Sequence, residues 1–284
     1  MGRPFNASGN SVSSEAQLPS GDRHSSEDTV ALKGADVTCS SYASAPQDGT
    51  LENAYHAIEG ISPITGAIFD CDGTLLDSLG AWRSLETFLS HEAGVTPSVE
   101  EHELFTTFTI PEVARYFHEV YGLGKSNEGV SNLIKEYMLD YYRNKAALLP
   151  GVGQFLESCA RANIAMSVAS STMSDCLEAG LSGAGIRQFF SHVLSVEDMG
   201  TTKREPLIFN RACELMGTEQ KSTWGFEDSL YAMKTLRMAN YPVLGIYDEG
   251  GEPSQTDVQT VATISVASFE EVAVLTTGYL AFTR

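Results

Sequence analysis

The sequence feature that most constrains the fold is an apolar run that ends abruptly in two aspartates. The run spans residues 64–69, and Asp70 and Asp72 follow it with one cysteine between them. Side chains alternate along a strand, so if the run is a strand, both carboxylates leave its carboxyl end on the same side. Open α/β sheets bind their ligands at that edge. The pattern therefore predicts a strand of an α/β protein with two acids at its ligand-binding end.

Two acids at this spacing have two interpretations. If a metal ion anchors them, one carboxylate can act as a nucleophile while the other transfers a proton. Alternatively, they belong to a polar loop that holds at most a structural cation. The turn residues Gly73 and Thr74, and then Leu75, follow directly after the apolar run and the acids. This combination favours the catalytic interpretation.

Strands and helices alternate along the chain from about residue 61. Helical patterns separate most of the predicted strands, which is typical of a parallel sheet with crossover helices. The predicted strands are residues 64–69, 164–169, 192–196, 223–226, 242–247 and 262–265. A last helix is predicted from a capping-box pattern that begins at Ser268.

One segment interrupts this alternation. Residues 79–149 carry helical patterns and no strand pattern. Ser78, Ser98 and Thr109 are placed to begin the first three helices, and the fourth spans roughly residues 127–145. A helical bundle inserted directly after the first strand would lie over the carboxyl ends of the strands. There it can close over a site and exclude water.

The first 60 residues differ from the rest in composition. They are rich in Ser, Gly, Asp and Asn and poor in large apolar residues. Such a segment buries too little surface to offset its ordering entropy, so residues 1–60 are predicted to be a disordered tail, with a short helix near residues 51–59. Its role stays open between a passive extension and a regulatory or partner-binding arm. The predicted core then comprises residues 61–77 and 150–284, and the helical insert comprises residues 78–149.

The stretch around the two aspartates resembles the first motif of the haloacid dehalogenase-like hydrolase superfamily, D-x-D-G-T-L-x-D-S. The helical insert is similar to the cap of the family's helical-cap subgroup, which includes β-phosphoglucomutase and phosphoglycolate phosphatase-like enzymes. The resemblance covers the chain from about residue 61 onwards. It implies an α/β fold with a Rossmann-like parallel-sheet core, crossover helices and an inserted α-helical cap domain.

Later strand ends carry residues that resemble the family's other motifs. Ser170 follows the second predicted strand, as does the family's phosphate-binding Ser or Thr, and Ser171 lies beside it. Lys203 begins a segment similar to K-P-x-P-D-x-F, and is implied to neutralise the charge of phosphate and nucleophile. Glu227 and Asp228 match the family's E-D-S motif. Asp228 is implied to bind Mg²⁺ directly and Glu227 to act through a bound water.

The resemblance implies a Mg²⁺-dependent phosphatase for a small phosphomonoester, with a sugar phosphate as the expected example. In the implied reaction Asp70 forms an aspartyl-phosphate, and Asp72 is the general acid and base. The implied metal ligands are Asp70, the backbone carbonyl of Asp72, and Asp228, with Glu227 nearby. Cys71, between the two acids, is expected to point into the core.

Two other functions remain open. A phosphomutase of the β-phosphoglucomutase type would share the fold, the cap and all four motifs. That subgroup carries a cap histidine, whereas this chain has Trp82 near the corresponding position. Hydrolysis is therefore favoured over phosphoryl transfer within a sugar. A non-catalytic binding module would be expected to lose Asp70, Lys203 or Asp228, and none of these is missing.

Three cap residues are candidate substrate contacts. Trp82 is placed to stack on a sugar or a base, Arg83 to reach a second anionic group, and Thr107 to approach the site from a cap turn. Each has a plainer interpretation, in which the tryptophan packs inside the cap and polar side chains face solvent.

Charge and composition limit the classes of partner that this chain is expected to bind. The formal net charge of −19 argues against binding to nucleic acid or an anionic membrane. It would also repel a phosphate ester, so a phosphate site needs local positive charge. The cysteines show no metal-site or disulfide spacing, and no apolar run approaches the ~18 residues that span a bilayer. No signal-peptide pattern is found, so a cytoplasmic protein is expected. The expected partner is a small phosphorylated metabolite, and a monomer is favoured although the sequence leaves the oligomeric state open.

Overall fold

The computed structural model describes residues 55–57, 62–105, 108–248 and 253–283. The predictions for residues 1–54 and for Thr107 lie outside this part of the chain. Within it, no helix combines the length and apolar character that crossing a membrane requires.

A six-stranded sheet lies at the centre, and every neighbouring pair of its strands is parallel. Strand β2 (Gly66–Phe69) lies between β5 (Ala165–Ser170) and β7 (Thr223–Glu227). The order across the sheet is β6-β5-β2-β7-β8-β9, where β6 is His192–Ser195, β8 is Val243–Ile246 and β9 is Ile264–Val266. All six predicted strands therefore exist in one parallel sheet, and the predicted fold class is confirmed.

The central strand is buried on both faces, which explains its continuous apolar pattern. Ile68 packs into the cluster formed with α8 (Leu207–Met216) and α9 (Leu230–Met238). Phe69 points to the opposite face, where its ring stacks on Phe226 with centroids 4.5 Å apart. Helices α5 (Val152–Arg161) and α6 (Ser174–Gly183) cover that face, and the short α7 (Val196–Met199) and α10 (Gln255–Val261) complete the core helices.

The inserted segment contains four helices, each near its predicted position. They are α1 (Leu79–Ala93), α2 (Val99–Phe105), α3 (Ile110–Glu119) and α4 (Asn127–Asn144). The prediction of no strand in this segment was wrong. The two-residue strand β4 (Ala147–Leu148) pairs antiparallel with β3 (Leu76–Asp77). The pair joins the entry and exit of the insert, and two residues are too few to show a strand period in the sequence.

A second sheet was missed by the sequence predictions. It is antiparallel, in the order β1-β11-β10, and is formed by β1 (Tyr55–Ala57), β10 (Val272–Val274) and β11 (Leu280–Thr283). The helix predicted for residues 51–59 was wrong where it can be compared, because residues 55–57 pair with β11. The last predicted helix is only a 3₁₀ turn at Phe269–Glu271. Its capping box is present, but β10 begins at once and pairs with β11.

Candidate active site

The two aspartates leave the central strand at the carboxyl edge of the sheet. The backbone N–H of Asp70 donates to the Phe226 carbonyl of β7 at 2.9 Å, which continues the sheet pairing to this residue. The chain then turns, and the N–H groups of Leu75 and Leu76 both donate to the Cys71 carbonyl at 2.8 Å. The Cys71 side chain is fully buried, as expected. This turn brings Asp72 out of the sheet beside Asp70.

Gly73 allows the turn to pass very close to the end of β7. Its φ of 77° lies in the left-handed region, which strains other residues. A Cβ atom at this position would also overlap the Oδ2 atom of Asp228. The glycine is therefore required both for the shape of the turn and for the approach of Asp228.

Three carboxylates meet at this edge of the sheet. Asp70, Glu227 and Asp228 each offer an oxygen atom, and these atoms all lie within 4.8 Å of one another. They meet because β2 and β7 are parallel neighbours in register, with Phe69 opposite Phe226. We call these three residues the acidic cluster. Carboxylate oxygens are the ligands that Mg²⁺ and Ca²⁺ prefer in proteins.

Lys203 places one positive charge in the acidic cluster. Its side chain is only 2% exposed, and its Nζ atom lies 2.6 Å from Asp70 Oδ1 and 2.8 Å from Glu227 Oε2. The other oxygen of Glu227 accepts hydrogen bonds from the Ser229 hydroxyl at 2.7 Å and the Ser229 backbone N–H at 3.1 Å. Three carboxylates against one ammonium leave two negative charges without compensation when all are ionised. The donor set and this charge deficit both fit a divalent cation.

The pKa values show the same charge deficit. Burial, followed by the charge of Glu227, raises the pKa of Asp70 well above its usual range and raises that of Asp228 to about 7. Burial also acts on Glu227, but the contacts with Lys203 and Ser229 hold its pKa below the usual range. The pKa of Lys203 is raised despite burial, because Asp70 and Glu227 favour its charged form. Full ionisation of the cluster therefore calls for more positive charge.

Asp72 has entirely different neighbours. Its Oδ1 atom accepts hydrogen bonds from the hydroxyls of Ser78 and Tyr142, and its Oδ2 atom accepts one from the hydroxyl of Thr172. We call these three donors the hydroxyl cage. Ser78 was predicted only as a helix cap. It does precede α1, but its hydroxyl makes no cap hydrogen bond and binds Asp72 instead.

Sequence reasoning missed Thr172 and Tyr142 as site residues. Thr172 lies two residues after the predicted phosphate-binding Ser170, and a hydroxyl in the same loop was a signal that could have found it. Tyr142 lies near the end of α4, 70 residues from Asp72. Nothing in its local sequence distinguishes it from the neighbouring tyrosine at position 141.

Ser170 ends β5 beside the aspartates. In the parallel register Phe69 lies opposite Val168, so Ser170 reaches the same edge of the sheet as Asp70. Its side chain is buried, and its hydroxyl oxygen accepts the backbone N–H of Thr172 at 3.1 Å. Ser171 is exposed. At the end of β5, Ser170 therefore presents a buried hydroxyl and Ser171 an exposed one.

Among the candidate residues of the inserted helices, Trp82 has a side-chain contact with the hydroxyl cage. The half-buried Trp82 donates its indole N–H to the Tyr142 hydroxyl at 3.2 Å, which supports packing within the cap. Arg83 lies within α1. Outside the insert, Arg204 follows Lys203 and is exposed, and its guanidinium carbon lies 5.0 Å from the centre of the Tyr231 ring.

The sequence and the fold of this chain are similar to those of known proteins. Hexitol phosphatase B of Escherichia coli (strain K12) is 26% identical over 186 residues, which cover 63% of this chain and 83% of that protein. Two solved structures share the fold at lower identity. A putative β-phosphoglucomutase from Thermotoga maritima is 19% identical with a TM-score of 0.62, covering 73% of this chain and 96% of that one. The mutant CbbY of Rhodobacter sphaeroides in complex with xylulose-(1,5)bisphosphate is 20% identical with a TM-score of 0.62, covering 76% and 99%.

A family model described as haloacid dehalogenase-like hydrolase matches residues 67–246. The match contains the central strand, both aspartates, Lys203 and the acidic cluster, and it spans more than half of the chain. The chain therefore belongs to the haloacid dehalogenase-like hydrolase family.

Proposed function

We propose that this protein is a Mg²⁺-dependent phosphatase that hydrolyses a small phosphomonoester through an aspartyl-phosphate on Asp70. The observation that carries the proposal is the pairing of Asp70 with the buried Lys203 inside a cluster of three carboxylates. A sugar phosphate is the proposed substrate class. It is supported by the name of the related hexitol phosphatase B and by the xylulose bisphosphate bound to CbbY.

Asp70 is the proposed nucleophile. Its side chain is only 10% exposed, and the Lys203 ammonium lies against one of its oxygens. The ammonium opposes the effects of burial and Glu227 on the pKa of Asp70, and it can also neutralise charge on the phosphoryl group that approaches. Ser170 and Ser171, which end the neighbouring strand, are proposed to bind the phosphoryl oxygens.

Asp72 is the proposed general acid and base. In the first step it gives a proton to the leaving alkoxide, and in the second it takes a proton from the water that hydrolyses the aspartyl-phosphate. Its surroundings suit a separate role, since hydroxyls rather than an ammonium bind it.

Asp70, Asp228 and the backbone carbonyl of Asp72 would hold Mg²⁺, with Glu227 nearby. When bound, the ion would neutralise charge on the transferring phosphoryl group. Residues 78–149 are proposed to act as a cap that closes over this edge of the sheet and limits entry to small substrates. A cytoplasmic location also remains a proposal.

The test is phosphate release from a panel of sugar phosphates and other phosphomonoesters, with and without Mg²⁺. Release that needs Mg²⁺ and is abolished in Asp70→Asn is expected, because the amide cannot form the acyl-phosphate. Asp140→Asn is a matched control, since Asp140 is exposed on α4 and accepts a hydrogen bond from Asn144. Undiminished turnover by folded Asp70→Asn would refute the assignment of the nucleophile.

The alternative function is a phosphomutase, which the similarity to a putative β-phosphoglucomutase keeps open. Such an enzyme would return the phosphoryl group to another hydroxyl of the same sugar. Dependence on a sugar bisphosphate activator, with an isomeric sugar phosphate as product, would decide for the mutase.

A further inference from the structure

One member of the hydroxyl cage comes from the inserted helices. Tyr142 lies near the C-terminal end of α4, and its side chain is 1% exposed. Its hydroxyl donates to Asp72 Oδ1. The other two donors are Ser78, at the entry to the insert, and Thr172, in the core loop after β5. Asp72 is therefore bound jointly by the core and by the base of the cap.

The hydroxyls of Tyr142 and Thr172 each have a single proton, and in both cases it is directed at Asp72. A phenol carries a single proton, and the Tyr142 oxygen already accepts the indole N–H of Trp82 at 3.2 Å. Its own proton is thus free for Asp72. The Thr172 oxygen lies 3.5 Å from the Tyr142 oxygen, but its one proton goes to Asp72 Oδ2. The two hydroxyls therefore hold the two oxygens of one carboxylate and set its rotation.

The Tyr142 ring is held rigidly against the core. A Cβ atom placed on Gly180 of α6 would lie only 2.8 Å from Tyr142 Cδ1. At Gly183, a turn further along α6, a Cβ atom would lie 3.2 Å from the Arg143 carbonyl oxygen. The end of α4 thus touches α6 where glycines leave no side chain between them. This packing places the Tyr142 ring beside α6 and its hydroxyl beside Asp72.

We propose that Tyr142 is a positioning residue that orients the Asp72 carboxylate for proton transfer to the leaving group. The proposal rests on the proposed phosphatase function, in which Asp72 is the general acid. Tyr142 acts through the Asp72 carboxylate, to which its hydroxyl donates. The Tyr142 ring contacts α6 and its hydroxyl contacts Asp72. The orientation of Asp72 therefore depends on how the end of α4 packs against the core.

The test compares two substrates in Tyr142→Phe. An alkyl phosphate, such as the best sugar phosphate of the panel, needs a proton on its departing oxygen, whereas p-nitrophenyl phosphate releases a stable anion that needs none. The value of kcat/KM includes every step up to departure of the leaving group. A hydrogen bond to a charged group contributes enough that we expect kcat/KM for the alkyl phosphate to fall by roughly ten-fold. The value for p-nitrophenyl phosphate should change far less.

The neighbouring tyrosine supplies a matched control. Tyr141 donates its hydroxyl to the Asp77 backbone carbonyl at 3.1 Å and does not contact Asp72. Tyr141→Phe removes a phenol oxygen one residue away from Tyr142. It should leave kcat/KM unchanged for both substrates. Gly180→Ala is a second variant, because the added methyl group would crowd the Tyr142 ring, together with the Leu76 side chain, while keeping the Tyr142 hydroxyl. It should produce the same selective loss on the alkyl phosphate.

Equal losses on both substrates in Tyr142→Phe, or no loss on either, would overturn the proposal, since a general effect on packing does not distinguish leaving groups. Failure of the proposed function would look different. In that case the wild-type protein itself would release no phosphate from either substrate, or Asp70→Asn would remain active.

Discussion

The two aspartates are separated by one residue, yet the regions around them are built in different ways. The surroundings of Asp70 are ionic, because a buried lysine and two further carboxylates meet at the ends of parallel strands. The surroundings of Asp72 are uncharged hydroxyls that come from the core loop and the base of the cap. Charge balance therefore dominates the surroundings of Asp70, whereas hydrogen-bond geometry dominates those of Asp72. One short motif can therefore hold two carboxylates with separate roles.

The largest effect is expected when the positive charge beside Asp70 is removed, which tests the role of charge balance there. Lys203→Met removes the ammonium that pairs with Asp70 and Glu227 and leaves buried carboxylates uncompensated. Breaking a buried ion pair in this way costs about 3–5 kcal/mol of unfolding free energy. Loss of a preorganised charge at the phosphoryl group should lower kcat by roughly 10³-fold. Urea unfolding and steady-state kinetics measure both changes.

A surface lysine serves as the control for that experiment. Lys221 pairs with Glu219 at 2.9 Å, and both side chains are largely exposed. Lys221→Met should leave both stability and turnover nearly unchanged, because solvent screens such pairs. Similar destabilisation in the two variants would contradict the role given to burial.

Metal removal gives an intermediate effect that depends on pH. The pKa of Asp228 is raised to about 7, first by burial and then by Glu227, whereas the unfolded chain has the ordinary value of about 4. The folded, metal-free protein therefore holds a proton that the unfolded chain releases. The stability from this group is fully present below about pH 4 and is lost as the pH rises through about 7. A bound cation competes with the proton, so Mg²⁺ affinity should weaken as the pH falls below about 7.

Thermal unfolding with and without Mg²⁺ between pH 5 and 8 checks this expectation. The difference in Tm between the two forms should widen as the pH rises. Asp228→Asn should shrink that difference and flatten its dependence on pH. A Tm difference that is the same at every pH would count against Asp228 as the group that titrates.

The smallest effect is expected for an exposed contact between α4 and α6, in contrast to the buried contact made by Tyr142. Lys135 of α4 forms an ion pair with Asp175 of α6, and their side chains are 44% and 60% exposed. Lys135→Ala should change kcat/KM by less than roughly two-fold, since exposed ion pairs contribute little. The same kinetic assay used for Tyr142→Phe measures it. A large loss of kcat/KM in Lys135→Ala would show that the exposed contact between α4 and α6, and not only the hydroxyl cage, affects activity.

Much of the core could be predicted from the sequence, because its signals are local. Strands such as β2 and β7 are buried on both faces and have apolar sequences, and each ends in a polar motif at the carboxyl edge of the sheet. The residues of the acidic cluster and Lys203 were predicted from those motifs, and the structure brings them within contact distance. Their proposed roles still await the experiments above.

The remaining features depend on pairing between distant segments. Strands β1 and β11 lie at opposite ends of the described chain, and their three- and four-residue lengths carry no pattern that outweighs a local preference. The capping box at Ser268 correctly predicts the cap hydrogen bonds. It does not reveal that the following residues join a strand ladder, because the ladder partner is further along the chain.

The sequence alone thus determined the parallel core, the order of its strands along the chain and the residues of the acidic cluster, since periodicity and motif spacing are local properties. Only the tertiary structure decided the surroundings of Asp72. The hydroxyls of Ser78, Tyr142 and Thr172 are common groups with no special local sequence. They become a cage because β3 and β4 join the two ends of the insert and the end of α4 packs against Gly180. That packing is a property of the folded chain, in which distant residues share one volume.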